Sequence, residues 1–311
     1  MIIHEEGSID SSKELVATIG FFDGVHCGHK HLIHHITCEA REKGMSSAVI
    51  TFKEHPRKVV NSTYHPALLT LHEEKMEHLE ETGVDYCVSL HFTADLSRLT
   101  AYEFMRRVLV EQLRVKVLYI GHDHRFGRDR ASGFEEYVVW GAELGIEIRQ
   151  APLFKVGEDA ISSSYVRRAL LAGDVERAAT ALGYPYRMRG LVVEGFKIGR
   201  TIDFPTANLL LGSCDKLIPR TGVYIVSTWY DGVLFWGMMN IGNRPTVHDQ
   251  GGLSIEVHLF DFDKEIYGEY LEVSILAFLR EERKMGGLEE LKIQLGRDRA
   301  LALAWMEEQE L

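Results

Sequence analysis

Two histidines spaced three apart, His26 and His29, close the stretch Ala17-Thr-Ile-Gly-Phe-Phe-Asp-Gly-Val-His-Cys-Gly-His29, which begins apolar and passes through Gly20 and Gly24. Glycines at a strand end admit positive φ and close backbone approach, and a helix beginning near Gly28 would offer unpaired N–H groups and a positive dipole end to an anion. Imidazole donors at the same spot suit a nucleotide phosphate. The chemistry served by such a cradle is nucleotidylyl transfer: an incoming phosphate attacks the α-phosphate of ATP, pyrophosphate leaves, and fixed donors take up the charge growing on the α-phosphoryl oxygens. His29 lies in helical register with Ile33, Ile36 and Ala40, which predicts that it points toward the sheet rather than into water. Two blander readings stand beside this one, a pair of core histidines or a metal tract drawn from His26, Cys27, His29, His31, His34 and His35. His31, His34 and His35 fall opposite the apolar stripe, where a solvated face accounts for them.

The rest of the chain has to position those groups. Its 311 residues suffice for two domains with separate cores. A net charge of −11 and a pI near 5.8 argue against nucleic acid or an anionic membrane as partner, so any anion is held locally by a few placed groups. Four cysteines, Cys27, Cys38, Cys87 and Cys214, contain no C-x-x-C pair and suit a reducing compartment. With a polar, acidic N-terminus and no apolar run of membrane-spanning length, the protein is expected to be cytoplasmic. Its oligomeric state is not legible.

In the first half, apolar runs at 15–20, 47–52, 84–90, 115–121 and 146–151 read as strands. They alternate with amphipathic helices at 28–43, 72–82, 101–112 and 133–144, the pattern of an open parallel sheet. Ligands in such sheets bind beyond the carboxyl ends of the strands, where 20–29 and 121–130 both emerge. A further helix is expected at 163–171. From about Tyr186 the texture changes to strands at 187–194, 222–230, 233–241, 253–260 and 269–278 with turn signals such as Asp231-Gly232, which predicts an antiparallel barrel. A last helix from Leu288 to about residue 308 should cover it with Leu288, Leu291 and Leu295.

Seven segments taken in order resemble the prokaryotic bifunctional riboflavin kinase/FMN adenylyltransferase family, also called FAD synthetase. In the first half they are Gly20 to His29, Thr51-Phe-Lys-Glu-His-Pro56, Gly121-His-Asp-His-Arg-Phe-Gly127 and Ile161-Ser-Ser-Ser-Tyr-Val-Arg167. In the second they are Gly199-Arg-Thr-Ile-Asp-Phe-Pro-Thr-Ala-Asn208, Asn240-Ile-Gly-Asn-Arg-Pro-Thr246 and Ile255-Glu-Val-His-Leu-Phe-Asp-Phe-Asp263. The resemblance implies a Rossmann-like nucleotidylyltransferase domain at 1–184 and a riboflavin kinase barrel at 185–311.

Residue by residue, the resemblance implies that Gly20, Phe21, Asp23, Gly24, His26, His29, Ser162, Ser163, Ser164 and Arg167 bind ATP for adenylylation. Arg167 would neutralise the departing pyrophosphate, and Phe52, His55, Asp123 and Arg125 would bind FMN. In the kinase half, Gly195, Lys197, Gly199, Arg200, Thr206 and Asn208 are implied as ATP contacts, with Thr206 and Asn208 also holding Mg²⁺. Glu256 is implied as the base that takes the riboflavin 5′-hydroxyl proton. With Ile255 and Val257 on one side of their strand, Glu256 turns to the other. The chain departs from the family's common Pro, Phe, Thr, Arg, Gly and Phe at Glu54, His124, Ser164, Tyr184, Asp203 and Met285. A carboxylate at Asp203 would repel ATP unless it faces away or helps hold the metal. Two alternatives stay open: a single-activity descendant with one decayed site, most plausibly the kinase, and a flavin-binding regulatory protein without turnover.

Overall fold

The computed structural model describes residues 1–4, 13–60, 63, 66–121, 125–128, 132–157, 159–195, 198–243 and 252–309. The expected Asp123, His124 and Lys197 lie outside them. By internal packing the chain divides into two compact units, Met1–Ser163 and Ser164–Leu311.

In the first unit the strands are β1 (Ile2–His4), β2 (Leu15–Ile19), β3 (Ser46–Phe52), β4 (Tyr86–Leu90), β5 (Val115–Ile120) and β6 (Glu147–Gln150). They form one wholly parallel sheet in the order β1-β4-β3-β2-β5-β6. Strand β1 was not expected, being too short and too close to the terminus to show a period. Parallel strands are covered on both faces and so read as continuous apolar runs. Leu15, Ala17 and Ile19 of β2 enter one core cluster while Val16 enters the other.

Helix α1 (Cys27–Glu42) closes one face with Ile33, Ile36 and Ala40, all essentially inaccessible. Burying each isoleucine contributes about 1.5–3 kcal/mol. Helix α2 is Pro56–Val60, and α3 (His72–Glu80) adds Met76 and Leu79 to the same face. The opposite face is covered by α5 (Ala101–Phe104), which follows the single turn α4 (Ala94–Arg98), and by α6 (Phe134–Leu144). The helix expected at 101–112 is α-helical only for its first turn. From Met105 to Gln112 it widens into a π-helix, whose slower rotation seats Met105, Leu109 and Leu113 in one cluster. A small hairpin, β7 (Lys155–Val156) with β8 (Asp159–Ala160), completes the unit.

Helix α7 (Ser163–Ala172) has its first residue in the first unit and the rest in the second, which continues with α8 (Val175–Leu182). That unit then runs into a closed antiparallel barrel of β9 (Tyr186–Val193), β10 (Ala207–Leu211), β11 (Gly222–Tyr230), β12 (Val233–Asn243), β13 (Leu253–Leu259) and β14 (Tyr270–Arg280). The ring runs β10-β13-β12-β11-β14-β9. Strand β10 was not expected as a strand, yet it pairs with both β13 and β9 and closes the barrel.

The last helix, α9 (Leu288–Glu308), packs Leu295, Ala302 and Trp305 against Val223, Ile225 and Met238 on the barrel's outer face. Leu288 does not join them: it is 54% exposed. The inward face of α9 is set by a polar pair. Asp298 is fully buried and accepts from Arg280 Nε at 2.9 Å and Nη2 at 2.7 Å, with Gln294 Nε2 donating to the same carboxylate at 2.7 Å.

Removing one partner of a buried ion pair strands the other charge, a loss of about 3–5 kcal/mol. Asp298→Ala should therefore lower the unfolding free energy of the second unit by that amount in urea titrations. A midpoint unchanged from wild type would show that the pair does not hold α9.

Candidate active sites

The segment from Gly20 to His26 leaves the sheet between β2 and β5, where the strand order reverses and open α/β sheets take their ligands. Its backbone is strained: Phe22 and Val25 have φ of 55° and 32°, a region costly for a β-branched residue, and Gly24 has φ of 81°. Hydrogen bonds hold it there. The Asp23 carboxylate accepts from Leu69 N at 2.9 Å and Thr70 N at 3.1 Å, Gly24 N donates to Thr70 Oγ1 at 2.9 Å, and Ser163 Oγ donates to the Asp23 carbonyl at 2.9 Å. Asp23 is 4% exposed, so what it contributes is the shape of the loop. Ser163 pins the same loop from the start of α7.

His26 caps α1: its Nδ1 accepts from His29 N at 3.3 Å, which leaves the ring proton on Nε2. The two imidazoles stack with centroids 3.6 Å apart and 18° between planes, and Phe22 meets His29 edge-on at 5.0 Å. Gly28 makes this possible, because a Cβ there would stand 3.2 Å from the His26 ring and 3.3 Å from the Ile161 carbonyl. His29 Nδ1 is buried and accepts or donates no hydrogen bond among the described residues. An orphaned polar atom beside a helix N-terminus is a vacancy in the hydrogen-bond scheme that a phosphate oxygen can fill when the ring nitrogen is protonated. Burial, the neighbouring His26 and the Lys75 ammonium together push the His29 pKa well below its ordinary value, so the ring is neutral at pH 7.

On the other histidines, His34 and His35 are exposed, and among the described residues no group of three or more His, Cys, Asp or Glu could hold a metal ion.

Beside the histidine pair, His55 packs edge-on to Phe21 with centroids 4.7 Å apart, and Lys75 Nζ lies 4.2 Å from the centroid of the same Phe21 ring. Phe52 is a core residue, 8% exposed and edge-on to Phe92. Its carbonyl accepts from Lys75 Nζ at 2.8 Å. Arg125 is exposed. Ser162 is exposed just ahead of α7, while Ser164 and Arg167 fall in the second unit, on that helix, exposed and half-buried.

In the second unit Glu256 stands at the centre of a row. It pairs directly with Asn208 across β10–β13 and with Asn240 across β12–β13, so the three side chains share one face of three adjacent strands. Ile255 and Val257 are buried on the other face, as the alternation requires. A cavity of about 250 Å³ takes in Glu256 and Asn240, walled by Phe204, Val223 and Met238 of the barrel side, by Leu291 and Leu295 of α9, and by Met285. A second cavity of about 70 Å³ lies among Arg200, Pro205, Val257, Lys264 and Tyr267. Thr206 lines both.

Close packing places the backbone around Asn208 and Thr206. A Cβ on Gly195 would fall 2.3 Å from the Asn208 amide, and one on Gly199 would collide with the Phe204 carbonyl, whose N–H in turn donates to Gly199 O at 2.9 Å. His258, on the Glu256 face, donates from Nδ1 to Pro205 O at 2.8 Å and so fixes the residue before Thr206. Asp203 has φ of 65°, a conformation that suits the glycine common in the family, and its carboxylate turns outward to Lys292 Nζ of α9 at 2.7 Å. It lines neither of Thr206's cavities, and its charge is paired with that ammonium.

Sequence reasoning missed Asn240 as a neighbour of Glu256, His258 as a brace, and Lys75. Asn240 and His258 lie within quoted motifs, but their roles depend on strand register; Lys75 carried no signal.

A family model described as FAD synthetase matches residues 8–165, and one described as riboflavin kinase matches residues 182–306. The chain is 39% identical over 290 residues to the bifunctional riboflavin kinase/FMN adenylyltransferase of Escherichia coli K12, covering 92% of this chain and 91% of that protein. It is likewise 39% identical over 287 residues to the protein so named in Listeria monocytogenes, covering 91% and 90%. A crystal structure described as a macrolide-efflux protein from Streptococcus pneumoniae superposes with a TM-score of 0.88 at 30% identity, over 98% of this chain and 100% of that one. Among the described residues of the present chain, no helix is long and apolar enough to cross a membrane.

The depressed His29 pKa sets a pH dependence. Below about pH 6.5 the unfolded chain's imidazole takes up a proton that the folded ring refuses, so the first unit loses stability as pH falls through that window. In urea titrations near neutrality and in mild acid, wild type should lose more stability than His29→Gln. Equal losses would mean that His29 is not the group being forced to charge.

Proposed function

The chain belongs to the bifunctional riboflavin kinase/FMN adenylyltransferase family, and from that premise we propose how its residues share the two reactions. It phosphorylates riboflavin with ATP to give FMN and ADP, and adenylylates FMN with a second ATP to give FAD and pyrophosphate. The observation that carries this reading is that one chain holds both cradles: stacked imidazoles with an orphaned Nδ1 at a helix N-terminus, and a carboxylate flanked by Asn208 and Asn240 above a cavity that Thr206 joins to a second.

For FAD formation, an oxygen of the FMN phosphate attacks the α-phosphorus of ATP while the bond to the β-phosphate oxygen breaks. No covalent bond to the protein is needed. His26, with its proton on Nε2, and His29, beside it, donate to the α-phosphoryl oxygens as charge grows there. The amides at the start of α1, Gly20 and Gly24 let the triphosphate approach the backbone. Ser162, Ser163, Ser164 and Arg167 are assigned to the β- and γ-phosphates, an assignment resting on the motif they share with the family. His55, Arg125 and Asp123 are assigned to FMN, with Phe52 acting through its backbone.

For FMN formation, Glu256 takes the proton of the riboflavin 5′-hydroxyl as that oxygen attacks the γ-phosphorus and ADP leaves. The larger, mostly apolar cavity suits the flavin ring. The smaller one, with Arg200 and Lys264 on its wall, suits the nucleotide, so that Thr206 stands where the two substrates meet. Hydroxyl and amide oxygens of Thr206 and Asn208 beside a carboxylate are the hard donors that a divalent cation prefers, which we take to be Mg²⁺. When bound, the ion would neutralise phosphate charge. Gly195 and Gly199 shape the backbone around Asn208 and the nucleotide, and Lys197 between them is assigned to its phosphates. We place the functional boundary at 184/185, a division supported by the start of the riboflavin kinase match at residue 182. Four free thiols support action in the cytoplasm.

Chromatography of flavins after incubation with riboflavin, ATP and magnesium should show both FMN and FAD; absence of FMN would remove the kinase. His29→Ala should lower FAD formation by about 10²-fold and spare FMN formation. Glu256→Gln should do the converse, by about 10²–10⁴-fold. Equal loss of both activities in either variant would indicate unfolding and refute the assigned roles.

A further inference from the structure

Lys75 is a lysine on a helix rich in glutamate, yet it is 1% exposed. Its ammonium uses all three donors on the protein: Phe52 O at 2.8 Å, Phe21 O at 3.2 Å and Thr51 Oγ1 at 3.2 Å. Thr51 Oγ1 itself donates to Phe21 O at 3.1 Å, closing a small ring of hydrogen bonds. The three acceptors come from the phosphate loop and from the end of β3, the two segments that border the corner between the histidine pair and His55.

We propose that Lys75 is a positioning residue for FMN adenylylation: its buried ammonium clamps the Phe21 end of the phosphate loop to the Thr51–Phe52 end of β3 and holds a fixed positive charge beneath the anion site. This rests on the reading of the first unit as the adenylyltransferase.

The charge is the argument for function over fold. A buried ammonium is costly unless paired, and among the described residues no carboxylate lies within ion-pair distance of Nζ. Asp23 acts on it only at longer range, with its carboxylate committed to the Leu69 and Thr70 amides. An apolar side chain would fill the same space without that cost. An uncompensated cation suits a pocket whose two ligands both arrive as polyanions, because each phosphate then meets a charge already in place. The ammonium also sits over the Phe21 ring, the ring that His55 packs against, so it fixes that aromatic corner as well as the loop carbonyl.

The groups facing Lys75 are Asp23 from the loop, His29 from α1 and Cys87 from β4. Burial pulls its pKa down to about 8, against the opposing pull of Cys87 and Asp23. Burial holds Cys87 as a thiol, pushed up to about 12 against the opposing pull of the Lys75 ammonium, and His29 is neutral, so neither changes charge between pH 7 and pH 9. In the free enzyme the clamp therefore carries its charge at neutrality and loses it above about pH 8.

The experiment measures kcat/KM for MgATP in FMN adenylylation from about pH 6 to about pH 10, since that ratio reports the free enzyme. It compares wild type, Lys75→Met and Lys75→Arg, with riboflavin phosphorylation by the same preparations as the control. Wild type should show an alkaline fall with a midpoint near pH 8. Lys75→Met should sit about 10²-fold lower at neutrality with no such fall, and Lys75→Arg, whose guanidinium stays charged, should recover part of the rate and keep it beyond pH 9. Kinase turnover should not change. A Lys75→Met variant with wild-type rate and profile overturns the proposal. If that variant does not fold, Lys75→Arg decides: a fall still centred near pH 8 with arginine in place overturns it equally. A wild-type chain that forms no FAD from FMN removes the parent reading and this one together.

Discussion

The carboxylate of Asp23, sealed from water and accepting the amides of Leu69 and Thr70, is the constraint on which the chemistry of the first unit depends. A loop that must show its N–H groups to an anion cannot also spend them on regular structure. It has to be held open from behind. Here the holding is done by side chains reaching in from elsewhere: Thr70 to Gly24, Ser163 to the Asp23 carbonyl, and Lys75 to the Phe21 carbonyl. Without them the positive φ at Phe22 and Val25 would relax, and the histidines at the foot of α1 would lose their common orientation.

The barrel meets a comparable demand by a different route. Instead of bracing a loop, it uses strand register, which in a closed ring has no freedom to slip. Once β10 pairs with β13, Asn208 has to lie opposite Glu256, and once β12 pairs with β13, Asn240 has to lie on the other side. Only the approach to β10 needs individual attention, and it receives it from His258 on Pro205, from the bare α-carbons of Gly195 and Gly199, and from Asp203 on Lys292. The last helix then supplies the apolar wall that a strand face cannot provide for itself.

Much of this was legible in the sequence, and what was not has identifiable causes. The inward face of His29 followed from helical period, because Ile33, Ile36 and Ala40 fix the rotation of α1. The parallel sheet followed from unbroken apolar runs, and the side taken by Glu256 from the alternation of Ile255 and Val257. Strand β10 escaped because Pro-Thr-Ala-Asn has the composition of a turn, and its strand character comes from two neighbours far away in sequence. Leu288 was misplaced because an apolar period was read along α9 whose rotation is in fact governed by Asp298 and Arg280. Lys75 could not be seen at all: among Glu73, Glu74 and Glu77 it reads as one more solvated charge, and only the fold turns it inward.

One feature of α1 bears on how such a chain can drift. His26 is at once the cap of its helix and half of the imidazole pair, and the bare Gly28 exists to admit its ring. Selection for a stable helix alone would accept serine, aspartate or asparagine at that position and would leave the neighbouring glycine open to replacement. A lineage released from the chemistry would thus be free to shed the ring and fill the space beside it, and those two changes together would be the mark of a retired site.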